Sequence, residues 1–108
     1  MSVEDRNVVD LMGVEKSTGK VILTIADHLD WQYEQNHLSA LQEKINRYIE
    51  FVESGEVLVA FPTAKGRPLV IEIVAKHGFP ESADAFFSMI REMLKPLDIG
   101  LQHKRLET

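Results

Sequence analysis

The sequence predicts an α+β fold: a two-layer sandwich in ββαββα order, with a four-stranded, mainly antiparallel sheet and two helices on one face. Three observations carry this. Apolar residues recur at strand spacing in several short stretches, they recur at helical spacing in two longer ones, and turn-forming residues separate the stretches. The chain has 108 residues, which suits a single domain over 1–108, with a core over about 7–97 and a tail at 98–108.

The elements follow in order. Residues 8–16, VVDLMGVEK, are rich in apolar side chains; STG interrupts them, and KVILTIAD follows at 20–27. In the second run Val21, Leu23 and Ile25 share one strand face, and Ile22, Thr24 and Ala26 the other. Two such runs around a short glycine-containing turn make a β-hairpin with Gly19 at positive φ. Over 36–54 the period changes. Leu38, Leu41, Ile45, Tyr48 and Val52 recur at steps of three and four, widened by Ile49 and Phe51. This is an amphipathic helix, with Asn36 as its N-cap and Gly55 as its left-handed end. EVLVAF at 56–61 returns to strand character, PTAKGRP forms a loop, and LVIEIVAK at 69–76 is the second strand of that pair. HGFP breaks it. A second helix starts at 81 and runs through Phe86, Phe87, Ile90, Met93, Leu94 and Leu97, with Pro96 ending or kinking it. The tail from Asp98 alternates weakly at Ile99 and Leu101; it either adds a short strand or frays.

The strand at 69–76 has an unusual second face. Leu69, Ile71 and Ile73 suit the helix-covered side, yet Val70 and Val74 flank Glu72 on the other. Ile22, Ala26, Leu58 and Ala60 join that outer face in the expected registers. A solvated face alternates to polar, so an apolar one implies a cover: the tail, a second protomer or a partner. The candidate interaction residues are therefore Ile22, Leu58, Val70 and Val74. Lys65 and Arg67, in the loop between the last two strands, either meet an acidic partner or a phosphate, or solvate the loop tip.

Bulk properties exclude several function classes. With 44% hydrophobic and 27% charged residues, the chain has the profile of a soluble globular domain. It lacks the apolar run of about 18 to 20 residues that spans a membrane. Its acidic, polar start MSVEDRNVVD is no secretory signal. It contains no cysteine, which removes disulfides, thiolate metal sites and cysteine nucleophiles. The net charge of −5 opposes nucleic-acid binding. A cytoplasmic protein with a protein partner or self-association is expected, without membrane, nucleic acid or cofactor.

Three stretches resemble chemistry. GVEKSTGK at 13–20 has five residues between its glycines instead of four, ends in Lys-Val, and precedes a strand, so it fails as a phosphate-binding loop. None of Ser17, Ser39, Ser54, Ser82 and Ser88 stands in a G-x-S-x-G elbow. IADHLDWQYEQNH at 25–37 is the best candidate. Asp27, His28, Asp30 and His37 offer nitrogen and oxygen ligands at the end of a strand, so a small metal-dependent enzyme or ligand binder is the alternative function. The spacing argues against it, because the two histidines stand nine apart and form no i, i+4 pair. The competing account is structural: Asp27 and Asp30 shape turns, Glu34 complements the helix dipole, and Trp31 anchors the corner.

The strings SVEDRNVVDLMGVEKSTGKVILTI, DHLDW, HLSALQEKINRYIEFVESGE and VIEIVAKHGFPE resemble a small, uncharacterised bacterial family, a domain of unknown function. The resemblance runs through about residue 96 and weakens from Ile99 onward. It implies a stand-alone cytoplasmic bacterial protein and supplies no catalytic residues. The function favoured by the sequence is a non-enzymatic interaction or binding module: a homodimer through the outer sheet face or an edge strand, or, on charge and size alone, a small acidic protein that neutralises a basic partner, as toxin-immunity proteins do.

Overall fold

The computed structural model describes residues 11–106. They form four strands, β1 (Leu11–Val14), β2 (Val21–Asp27), β3 (Leu69–Ala75) and β4 (Ile99–Arg105). Three α-helices connect them, α1 (Glu34–Glu53), α2 (Glu56–Ala60) and α3 (Asp84–Leu94). The α+β class and the four-stranded sheet hold. The sheet is mixed instead of mainly antiparallel, and the order is ββααβαβ instead of ββαββα.

Strand order equals chain order. β1 pairs antiparallel with β2, β2 pairs parallel with β3, and β3 pairs parallel with β4. The β1–β2 hairpin closes as expected: the Glu15 amide donates to the Lys20 carbonyl, and Gly19 takes φ 76°. Positions 8–10 of the expected first strand lie outside the described residues.

The correction concerns 56–61. Gly55, at φ 84°, reverses the chain at the end of α1, and the next five residues wind into α2. Arg47 of α1 donates from Nη2 to the Glu56 carboxylate at 3.1 Å, which holds the start of the short helix against the long one. Val57 turns into the core, while Leu58 and Val59 stay exposed. A five-residue apolar run has no period of its own, so its neighbours decide its form. Leu58 and Ala60 consequently leave the outer sheet face. Without a strand here, the chain crosses from β2 to β3 through α1 and from β3 to β4 through α3, and both crossovers make parallel pairs. The tail from Ile99 is thus a full seven-residue strand.

Both crossovers step the same way across the sheet. Crossovers of the usual right hand then put their helices on one face, and the core agrees. Val21, Leu23 and Ile25 of β2 and Ile71 and Ile73 of β3 pack against Leu41, Ile45 and Tyr48 of α1 and Phe87, Ile90 and Leu94 of α3. Tyr48 donates its hydroxyl to the Thr24 carbonyl at 2.5 Å, tying α1 to β2. Lys44 is also buried on the core face of α1, its ammonium 5.8 Å from the centre of the Tyr48 ring.

The helix-free face carries rows set by the register. Gly13, Ile22, Val70 and Gly100 form one row, Leu11, Thr24, Glu72 and Gln102 the next, and Ala26, Val74 and Lys104 the third. Val70, at the sheet centre, is only 8% exposed. Gly100 makes room for it: a Cβ there would sit 3.3 Å from Val70 Cγ2. Glu72 accepts from Gln102 at 2.7 Å and lies 3.8 Å from the Lys104 ammonium, so the middle of the face is polar toward β4.

Candidate functional site

The corner at 27–37 joins the carboxyl end of β2 to the first turns of α1. Asp27 is the last residue of β2, and its inward position follows from the alternation Val21, Leu23, Ile25, Asp27. His37 continues inward the helical stripe of Leu41, Ile45 and Tyr48. The two meet at the core edge. His37 Nε2 lies 2.5 Å from Asp27 Oδ2, and His37 Nδ1 lies 2.9 Å from the Asp30 carbonyl. His37 is 2% exposed.

Both atoms facing the ring are oxygens that ordinarily accept. Either the ring donates from both nitrogens and pairs as a cation with the Asp27 carboxylate, or Asp27 carries the proton and donates it to Nε2. In both forms no ring lone pair remains for a substrate or a metal. The other Asp27 oxygen accepts the Leu29 amide at 3.1 Å, closing the turn. The arrangement therefore differs from a catalytic dyad, in which the carboxylate holds one ring nitrogen and the other stays free to move a proton.

The four residues singled out by sequence thus separate. Asp27 and His37 come together and occupy each other. His28 and Asp30 are exposed, and one Asp30 carboxylate oxygen accepts the Gln32 amide at 3.1 Å. Among the described residues no three of His, Asp and Glu converge to hold a metal ion. The expected Asn36 cap is also corrected: α1 starts at Glu34, with Tyr33 at its N-cap position, and Asn36 lies in the first turn.

Trp31 anchors the corner. Its ring stacks on His37 with centroids 3.7 Å apart and planes 20° from parallel, and its indole N–H donates to the Gly78 carbonyl at 2.8 Å. This bond joins the loops at the carboxyl ends of β2 and β3. Aromatic contacts then continue outward. Phe79 lies 5.9 Å from Trp31, and its ring meets both Phe87 and His103 edge-on at 4.8 Å. His103 stacks on Phe87 at 4.3 Å.

Burial holds His103 below its ordinary value of 6.5, and the Arg91 guanidinium adds to this against the opposite pull of Asp84. The unfolded chain therefore takes up a proton at His103 that the folded chain resists. Stability from this site is complete above about pH 6.5, falls as pH drops below it, and levels off once the folded ring protonates. His103→Gln is expected to reduce that acid-side loss. Thermal midpoints of both proteins at about pH 8 and about pH 5 check this; an unchanged difference between the two pH values would contradict it.

The candidate interaction residues separate too. Ile22, Val70 and Val74 share the helix-free face. Leu58 stands apart on α2. Arg67 is a staple between loops, donating to the Thr63 carbonyl at 3.0 Å and the Gly19 carbonyl at 3.1 Å, whereas Lys65 is exposed.

A family model described as a family of unknown function, DUF6572, matches residues 1–107. The chain belongs to this family. The match includes β4, so the family extends past residue 96, beyond the reach of the resemblance read from the sequence. No curated protein and no solved structure matches the chain. For this DUF6572 member, function rests on the geometry above. No helix among the described residues is long and apolar enough to cross a membrane.

Proposed function

We propose that this DUF6572 member is a non-enzymatic protein-interaction module that self-associates through the helix-free face of its sheet. One observation carries the reading. The β1–β2 side of that face exposes Leu11 beside a recess of about 310 Å³ lined by Leu11, Gly13, Ile22 and Thr24. An added Cβ at Gly13 would meet nothing within 4 Å. An exposed apolar knob two residues from an open recess, on one strand face, is self-complementary under a two-fold axis, where the same patch serves both copies. Ile22 and Val74 extend the apolar surface across the face, and Glu72 and Lys104 give it opposite charges for a facing copy.

Lysines on this face test the reading, because a charge at an apolar contact centre stays solvated only in the monomer. Light scattering at micromolar concentration is expected to find a dimer for the wild type and a monomer for Ile22→Lys and Val74→Lys. A wild-type monomer sinks self-association; a dimer that survives both changes moves the contact elsewhere.

A further inference from the structure

We propose that a second recess, beside the 27–37 corner, binds a basic side chain, preferably arginine, from a protein partner. The inference rests on the reading of the chain as an interaction module, but not on its self-association. The recess has a volume of about 270 Å³ and is lined by Leu29, Asp30, Tyr33, Asn36, His37 and Ala40. Pockets for small organic ligands begin near about 300 Å³, so this one suits a single side chain better than a cofactor.

Its construction favours a ligand with an aliphatic stem and a cationic head. Leu29 and Ala40, both packed against the core, give its lining apolar surface. Tyr33 also lines the recess and is 66% exposed. Among the described residues the Tyr33 hydroxyl and the Asn36 amide have no hydrogen-bond partner, and only one Asp30 carboxylate oxygen is taken, by Gln32. The carboxylate accepts donors, the exposed ring face attracts a cation, and the amide oxygen accepts a further N–H. A guanidinium, with five donors on a flat frame, meets all three, and it is readily desolvated beside an aromatic ring. The net charge of −5 favours approach of a basic partner.

The supporting layer distinguishes this recess from a chance dent. His37, in its wall, is held by Asp27 on one side, the Asp30 carbonyl on another and the Trp31 ring across its plane. The wall is therefore rigid before any ligand arrives, which lowers the ordering cost of binding.

Titrating the protein with N-acetyl-arginine amide, followed by amide NMR shifts, tests the proposal. The expected result is saturable shifts at Leu29, Tyr33 and Ala40, and none with N-acetyl-leucine amide or N-acetyl-glutamine amide. Tyr33→Ala and Asp30→Asn should each weaken binding by about fivefold or more, with the rest of the spectrum unchanged. Equal shifts with the leucine probe would make the recess merely apolar. Arginine shifts spread over the surface, or unaffected by either change, would overturn the site. Ile22→Lys is expected to bind the arginine probe like the wild type, so failure here is separable from failure of the dimer.

Discussion

Asp27→Ala is expected to lower the free energy of unfolding by about 2–5 kcal/mol, the usual cost of stripping a buried polar or charged group of its partner. The loss has two parts. His37 would face the truncated side chain from a site that is 2% exposed, with no acceptor for Nε2. The Leu29 amide would lose its acceptor as well, loosening the turn that leads to Trp31. Replacing both members together, Asp27→Leu with His37→Leu, should cost less than the sum of the single changes, because no stranded polar group remains. Urea unfolding of the three variants measures this. A single-mutant loss below about 1 kcal/mol would mean that water reaches the pair and that the corner is not held by it.

Trp31→Ala is expected to be the next most damaging change, at about 3 kcal/mol. The ring stacks on His37, touches Phe79, and carries a side-chain hydrogen bond between the β2 and β3 end loops. Trp31→Phe keeps most of the ring contact but leaves the Gly78 carbonyl without its donor, so about 1 kcal/mol should be lost. The chain has one tryptophan, so its fluorescence vanishes in both variants and circular dichroism must follow unfolding. If Trp31→Ala unfolds like the wild type, the two loops are joined by something other than this side chain.

The long periodic segments were legible in the sequence. The stripe through Leu41, Ile45 and Tyr48 placed α1, the alternation in 21–27 placed β2, and Gly19 marked the hairpin turn. The segment 56–61 was not legible, because a short apolar run bounded by Gly55 and Pro62 suits a strand or a helical turn equally. That one element changed the topology: its loss from the sheet turned an expected hairpin into a crossover and required 99–105 as the fourth strand. The apolar character of both faces of β3, taken as a sign of a covered outer face, is also the mark of a central strand in a parallel sheet. Val70 illustrates this, being nearly buried between Ile22 and Gly100.

At the candidate site, residue types were legible but their partnership was not. Asp27 and His37 are ten residues apart, and only the direction of α1 against β2 brings them together. One signal was present: His37 stands four residues before Leu41 on the inward stripe, which marks it as a buried histidine. A histidine there needs partners from the adjoining strand end, and Asp27 supplies one. The Phe79, Phe87 and His103 contacts had no comparable signal, since β4 itself was uncertain.

The central claim is that the buried Asp27 and His37 side chains hold the corner together and are not free to react. Imidazole-nitrogen NMR of His37 tests this most directly. The account predicts that both ring nitrogens are engaged in hydrogen bonds protected from solvent, and that added zinc leaves the His37 signals unmoved. A ring nitrogen with a free lone pair open to solvent, or a zinc-induced shift at His37 shared by His28, would contradict it and return the corner to the class of reactive sites.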